Sequence, residues 1–311
     1  MKHIKLAALL CLVAGIANAQ QHMRGSDTLA LYTRGLISDL GLGSQLIYDG
    51  GGSGLGIADT INARTTGQTV NPASRAVNAT EIAAAAANDL QYVDYVLGLD
   101  AVTIHVNDVG NADLSCMAFS DARHIWQCDY STWDQVPGST RTDSILVLAR
   151  DENSGTTDVF VSRLGGFNMS PAGSWWSNYP CVNVCRGDGC TQIIGATTAF
   201  VPNAIGFTGI PGLTTGNRDL AISNDNVPPA TPCLRFTVDT IRSGDYQFAR
   251  QLHMYSVQGI SDTFGPTGAQ ASLLSDGAIN CGCNCPRLAA NGFFSVSDDY
   301  CGSCTQTCPP Q

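Results

Sequence analysis

Ile145-Leu146-Val147-Leu148-Ala149 runs directly into Arg150-Asp151-Glu152-Asn153-Ser154-Gly155-Thr156. The first five residues are apolar without a break, as in a strand buried on both faces. The next seven are polar or small, and a helix is expected after Ser154. Strand, short polar turn, helix is the unit from which α/β folds are assembled. It recurs twice upstream. Leu46-Ile47-Tyr48 leads into Asp49-Gly50-Gly51-Gly52-Ser53-Gly54, and Arg24-Gly25-Ser26-Asp27-Thr28 precedes a helix opening at Leu29. In that helix Leu31, Leu36, Ile37 and Leu40 recur at helical spacing until Gly41 and Gly43 stop them.

Other segments fit the same class. Glu81 to Leu90 is alanine-rich and helical, with Thr80 as its expected N-cap. Ala101 to Val106 reads as a strand buried on both faces of a mostly parallel sheet. Further strands are expected near Ile205-Gly206-Phe207 and over Tyr246 to Val257, the latter returning to the first half of the fold. Gly166 to Cys190 is irregular and rich in Gly, Ser, Trp and Cys, and reads as a loop insertion pinned by its own cysteines. Its Trp175-Trp176 and Tyr179 are expected to pack that loop on the second half. From about Ser275, six cysteines among Gly, Asn and Pro predict little regular structure.

The bulk properties place the chain outside the cytoplasm. Lys2, His3 and Lys5 precede an apolar run from Leu6 to Ile16 and an Ala17-Asn18-Ala19 cleavage pattern, so residues 1–19 read as a signal peptide and the mature chain as starting near Gln20. No stretch reaches the roughly 20 apolar residues of a membrane span. Every other cation is Arg, which leaves 14 Arg against 26 acidic residues, a net charge of −12. That excess argues against nucleic acid or an anionic membrane as partner. Twelve cysteines remain in an oxidising compartment, and disulfides are the expectation for them. Cys281-Gly-Cys283-Asn-Cys285 and Cys301-Gly-Ser-Cys304 have spacings a metal could use, but the compartment favours cross-links. No metal and no cofactor is expected.

The three turns suggest anion binding. The first turn of a helix carries unpaired amide N–H groups and about half a positive charge. An oxyanion placed there meets several donors without a lysine. Gly allows close backbone approach, Ser and Thr hydroxyls add short bonds, and Arg150, four residues before Ser154, supplies a charge-assisted one. Neither nucleotide-binding Gly pattern is met. Catalysis is not indicated: Gly51-Gly52-Ser53-Gly54-Leu55 lacks the last Gly of a nucleophile elbow, and His105 reads as a packed histidine within its strand.

In this order the motifs resemble the substrate-binding proteins of bacterial phosphate ABC transporters. The matching pieces are Gly25-Ser26-Asp27-Thr28-Leu29, Gly52-Ser53-Gly54-Leu55-Gly56, Ala73-Ser74-Arg75 and Leu99 to Asn107, which is similar to the family's crossing strand. Ile125-Trp126 with Thr132-Trp133, Arg150 to Thr156, Asn203 to Phe207 and Tyr246 to Tyr255 follow. The match runs from about residue 22 to 260.

The resemblance implies a two-lobed periplasmic-binding-protein fold with a two-strand hinge, followed here by a disulfide-rich C-terminal tail. Lobe I would take residues 22–104 and 212–272. Lobe II would take 105–211, with the Cys-bearing insertion near 166–192, and the tail 273–311. The implied ligand is inorganic phosphate or a similar tetrahedral oxyanion, with an ABC permease as partner and the periplasm or extracellular space as location. Ser26 and Thr28 would bind from the first turn, Ser53 and Gly54 from the second, and Arg150, Ser154, Gly155 and Thr156 from the third. Ser74 and Arg75 would stand beside them.

Many members carry an Asp where this chain has Arg75, and that carboxylate accepts the proton of hydrogen phosphate, which fully ionised sulfate lacks. Here Ser74-Arg75 resembles a second version of the family. Asp27 is then either the acceptor or simply the N-cap of its helix. The alternative function is an extracellular adhesive or structural protein built on the same fold, with the tail as its interaction module.

Overall fold

A computed structural model of the 311-residue chain describes residues 20–170, 173–279 and 281–296. The expected signal segment and the cysteines at 301, 304 and 308 lie outside the described residues, as do the side chains of Cys281, Cys283 and Cys285. Chain order is β1 (Gln21–Gly25), α1 (Ala30–Asp39), β2 (Leu46–Gly51), α2 (Ser53–Ile61), α3 (Ala63–Thr66), β3 (Val70–Ala73) and α4 (Ala79–Ala87). Then come β4 (Leu90–Asn107), β5 (Cys116–Ala118), α5 (Phe119–Trp126), β6 (Leu146–Arg150), α6 (Gly155–Leu164), β7 (Val182–Cys185), α7 (Cys190–Phe200) and β8 (Ala204–Gly209). The chain continues through β9 (Asn217–Asp219), β10 (Ala221–Ser223), α8 (Val238–Ser243), β11 (Ala249–Gly259), α9 (Gly268–Leu274) and α10 (Cys281–Ala290).

One sheet of seven strands runs through the molecule in the order β3-β11-β4-β8-β6-β7, with β9 alongside β4. It joins two lobes because β4 is 18 residues long and changes partners part-way. From Leu90 to Ala101 it pairs with β11, and from Val102 to Val106 with β8. Every neighbour of β4 is antiparallel, against the mostly parallel sheet expected from its apolar run. Burial on both faces alone produced that run; only β6 pairs in parallel within this sheet, with β7 and β8. β4 and β11 are the two strands that cross between the lobes.

Each lobe has its own core. Lobe I buries Met23, Leu29, Tyr32, Leu36, Tyr48 and Leu252. Lobe II is built on aromatic rings: Phe160 stacks on Phe207 with centroids 3.9 Å apart, and Trp126 meets Phe160 edge-on at 4.8 Å. The return to lobe I comes later than residue 212. β9 pairs with His105 to Asn107, β10 with β5, and Leu220, Ile222, Ile241, Tyr246 and Phe248 all pack into the lobe II core. Apolar partners, not chain position, decide which lobe a segment joins.

Three other expectations shift. The alanine-rich helix is capped by Asn78, not Thr80: the Asn78 side chain accepts from Glu81 N–H and Glu81 accepts from Asn78 N–H, both at 2.9 Å. Leu90 opens β4. The early tail is ordered: α10 follows, Leu288 and Phe293 enter the lobe I core, and Phe294 pairs with Leu99. The Gly166–Cys190 segment is not wholly irregular, since its end forms β7. Disulfides join Cys116 to Cys233, Cys128 to Cys181 and Cys185 to Cys190. Among the described residues no helix is long and apolar enough to cross a membrane, and no cluster of side chains could hold a metal ion.

Candidate functional site

The three strand–turn–helix units bring their turns together between the lobes. The first turn follows β1, the second joins β2 to α2, and the third joins β6 to α6. Neither α1 nor α2 has a side chain capping its N-terminus, so their first-turn amides receive no help from their own cap residue. α6 is capped by Ser154, whose hydroxyl accepts from Thr156 N–H at 3.2 Å. Gly52 enters α2 at φ 109°, a conformation that favours glycine, and its N–H donates to Gly25 O at 2.8 Å.

Short contacts cross the cleft and line it. Thr28 Oγ1 lies 3.2 Å from Thr156 Oγ1, and Gly54 N–H donates to Asn153 O at 2.9 Å. Ser53 Oγ lies 3.3 Å from Ser74 Oγ and accepts from Ser74 N–H at 3.0 Å. A Cβ added to Gly155 would stand 2.7 Å from Ser53 Oγ and 2.9 Å from Ser74 Oγ. The third turn therefore reaches the hydroxyls of the other lobe only because residue 155 has no side chain. Ser26, Asp27, Thr28, Ser53, Ser74, Arg150, Ser154 and Thr156 are all buried. Gly54 is half-buried and Gly155 buried.

Arg150 is 1% exposed at the end of β6. Its Nη1 donates to Thr191 Oγ1 at 3.1 Å, its Nη2 pairs with Asp27 Oδ2, and its Nε has no partner in the protein. An arginine cannot shed its proton, so a buried N–H of this kind is a donor held ready for an acceptor. Trp176 fixes the strand end: its indole N–H donates to Arg150 O at 2.6 Å. Trp176 is buried in the lobe II core and Trp175 packs against that core, as expected of this pair.

Asp27 does not cap α1. Its Oδ1 accepts from Gly51 N–H at 2.6 Å while Oδ2 meets Arg150. Burial raises its pKa above the ordinary carboxylate value, against the pull of Arg150 and the Gly51 amide. Arg75 points elsewhere than the hydroxyls. Its guanidinium pairs with Glu81 at 2.7 Å and with Asp158 of the opposite lobe at 2.6 Å.

Arg250 was not singled out in the sequence, where it lies within a segment read only as a strand. An arginine between Phe248 and Leu252 in a buried strand was the available signal. It is 7% exposed where β11 crosses between the lobes. Its Nε and Nη2 donate to Asp100 Oδ2 at 2.9 and 2.5 Å. The same guanidinium reaches both lobes, donating to Thr156 Oγ1 at 2.9 Å and to Thr28 Oγ1 at 3.2 Å. Because guanidinium only donates, each hydroxyl accepts from it, and since the two also bond to each other, one of them keeps its hydrogen free to point elsewhere.

A sequence model of the PBP superfamily domain matches residues 42–271. The chain belongs to the PBP superfamily. Among curated relatives, SphX of Synechocystis sp. is 24% identical over 151 residues, covering 46% of this chain and 44% of SphX. The chain thus spans less than half the length of that relative. A PBP-like structure from Clostridium perfringens, assigned as a phosphate ABC transporter substrate-binding protein and solved with phosphate bound, superposes with a TM-score of 0.67 at 16% identity over 89% of this chain and 100% of that one. An ABC-type phosphate transport receptor from Vibrio cholerae gives 0.61 at 19% identity, over 88% and 99%. At such identities the likeness is one of fold, and it matches the two-lobed α/β PBP architecture.

Proposed function

We propose that this chain is an exported solute-binding protein that captures inorganic phosphate, or a similar tetrahedral oxyanion, between its lobes. The observation that carries the reading is the unpartnered Nε–H of Arg150, wholly buried where three turns converge. Ser26, Thr28, Ser53, Ser74, Ser154 and Thr156 supply hydroxyls, and amides beginning α1, α2 and α6 supply backbone donors, Gly155 among them, while Gly54 donates its N–H to Asn153 O and lines the site. Arg250 donates to Thr28 and Thr156, which also bond to each other, so one of the two keeps a hydrogen to turn toward the anion. Arg75 bridges the lobes through Asp158 and acts on closure, not as a ligand. Asp27, tied to Arg150 and Gly51, accepts the proton of hydrogen phosphate.

On this reading one lobe binds first and the other swings in about β4 and β11. An ABC permease receives the loaded protein, in the periplasm or outside the cell after removal of residues 1–19. The adhesive alternative gains nothing from the Arg186-Gly187-Asp188 triplet, whose charges pair with Glu152 and Arg34 of the same chain.

Calorimetric titration of the mature protein with phosphate, sulfate and arsenate tests the proposal. Phosphate heat that disappears in Arg150→Ala is the expected result, and no heat with any of the three anions ends the reading. In a thermal-shift format, phosphate at 100 times its Kd adds about 2.7 kcal/mol to the folded state.

A further inference from the structure

The segment from Cys185 to Cys190 is a small ring closed by a disulfide between the end of β7 and the start of α7. It lies on lobe II, yet its central residue reaches lobe I. Asp188 Oδ2 accepts from Arg34 Nη2 of α1 at 2.5 Å, and Arg34 is steadied by its Nε donating to Tyr48 O at 3.0 Å. The ring is also fastened to the anion turn of its own lobe. Gly187 N–H faces Asp151 Oδ2 at 3.4 Å, Arg186 pairs with Glu152 at 3.0 Å, and Thr191, one residue past the ring, accepts from Arg150.

We infer that this ring is a closing latch: Asp188 holds Arg34 of the opposite lobe and thereby sets how slowly a bound anion escapes. The inference rests on the binding reading above, but the latch itself is a property of the two lobes. Three features support it. The pair joins the two lobes at a point outside the anion cradle and away from Arg75. The cross-link spans only five positions, so it removes the freedom a loop would otherwise use to withdraw Asp188. Both side chains are 41% exposed, so the pair can part and re-form without stranding a buried charge, as a latch must. Neither residue bonds to the cradle hydroxyls, and Asp188 reaches the cradle only through its charge near Asp27, so the main effect belongs to release. Exposed pairs of this kind change rates by a few-fold, roughly two to five, and salt weakens them.

The test compares wild type with Arg34→Gln, Asp188→Asn, the double variant, and Cys185→Ser with Cys190→Ser. Phosphate release is followed by stopped flow, and the radius of gyration of the phosphate-free protein by X-ray scattering. The expected result is release about two- to five-fold faster in each single variant with an unchanged association rate. The double variant should be no faster than either single one, and the serine pair should behave like Asp188→Asn. In each variant the phosphate-free protein should be more expanded than wild type. Release and radius of gyration both at wild-type values overturn the latch. A wild type that binds no phosphate overturns the binding reading alone, and scattering then decides the latch: expansion in Asp188→Asn supports it, and an unchanged radius overturns it.

Discussion

Arg150 combines two demands that seldom meet in one side chain. Its Nη2 neutralises buried Asp27, while its Nε remains available. Replacement by Ala removes the free donor and strands Asp27, so we expect at least a hundredfold loss of phosphate affinity and about 3 kcal/mol of lost stability, read by calorimetry and urea unfolding. Arg150→Lys keeps the charge but not the fork, and should fall between the two in affinity. Asp27→Asn should narrow the gap between phosphate and sulfate, because an amide can donate to an anion that offers no proton.

Histidine gives a second residue-scale test. His105 is fully buried between Thr198 and Thr208, hydrogen-bonded to each at 2.8 and 2.9 Å, and burial lowers its pKa to about 3. A depressed histidine favours folding above its unfolded pKa near 6.5, and that contribution is lost as pH falls toward 3. The His105 ring signals in NMR should therefore not titrate between pH 8 and 4.

Serines and threonines at turns were legible in the sequence because strand, turn and helix follow one another locally. Arg75 and Arg250 show where that legibility ends. Arg75 follows Ser74 in sequence, yet its guanidinium answers to Glu81 and Asp158. Arg250 reaches Thr28 across 222 positions of chain. Which hydroxyl a guanidinium meets depends on strand register across the hinge, and no local pattern encodes that.

At the scale of elements, α4 and α6 are tied through one guanidinium. Asp158 on α6 faces Arg75, which in turn holds Glu81 in the capping box of α4. Burial raises the Asp158 pKa from 3.8 to about 6, even with Arg75 beside it. A carboxyl with a raised folded-state pKa favours the folded form below its unfolded value near 4. That advantage fades as pH rises through 6. Its size is roughly 2 to 3 kcal/mol at most. Urea unfolding of wild type and Asp158→Asn at pH 4 and pH 7 should show the difference between the two proteins changing over that window. An identical difference at both pH values would mean that Arg75 holds Asp158 ionised throughout. The sequence carried the element order well, since apolar runs and Gly stops are local. It did not carry the sheet's direction, because a strand buried on both faces reads the same beside parallel or antiparallel neighbours.

For the whole molecule, the two lobes are stabilised unequally. Cys116–Cys233, Cys128–Cys181 and Cys185–Cys190 all lie in lobe II, and among the described residues lobe I has no disulfide. The first two span 117 and 53 positions. In the chain-entropy picture these loops are worth roughly 4 to 5 kcal/mol each, so reduction should weaken lobe II far more than lobe I. The chain offers a built-in reporter: its four tryptophans, Trp126, Trp133, Trp175 and Trp176, belong to lobe II and its insertion. Under a thiol reductant, tryptophan fluorescence should report melting at a lower temperature than the last loss of circular dichroism, which includes lobe I. Oxidised protein should bring the two signals closer together. Phosphate should protect the fluorescence transition as well, since the proposed ligands Arg150, Ser154 and Thr156 stand on lobe II and are in place only while it is folded. Coincident transitions in reduced protein would show instead that β4 and β11 couple the lobes into one cooperative unit.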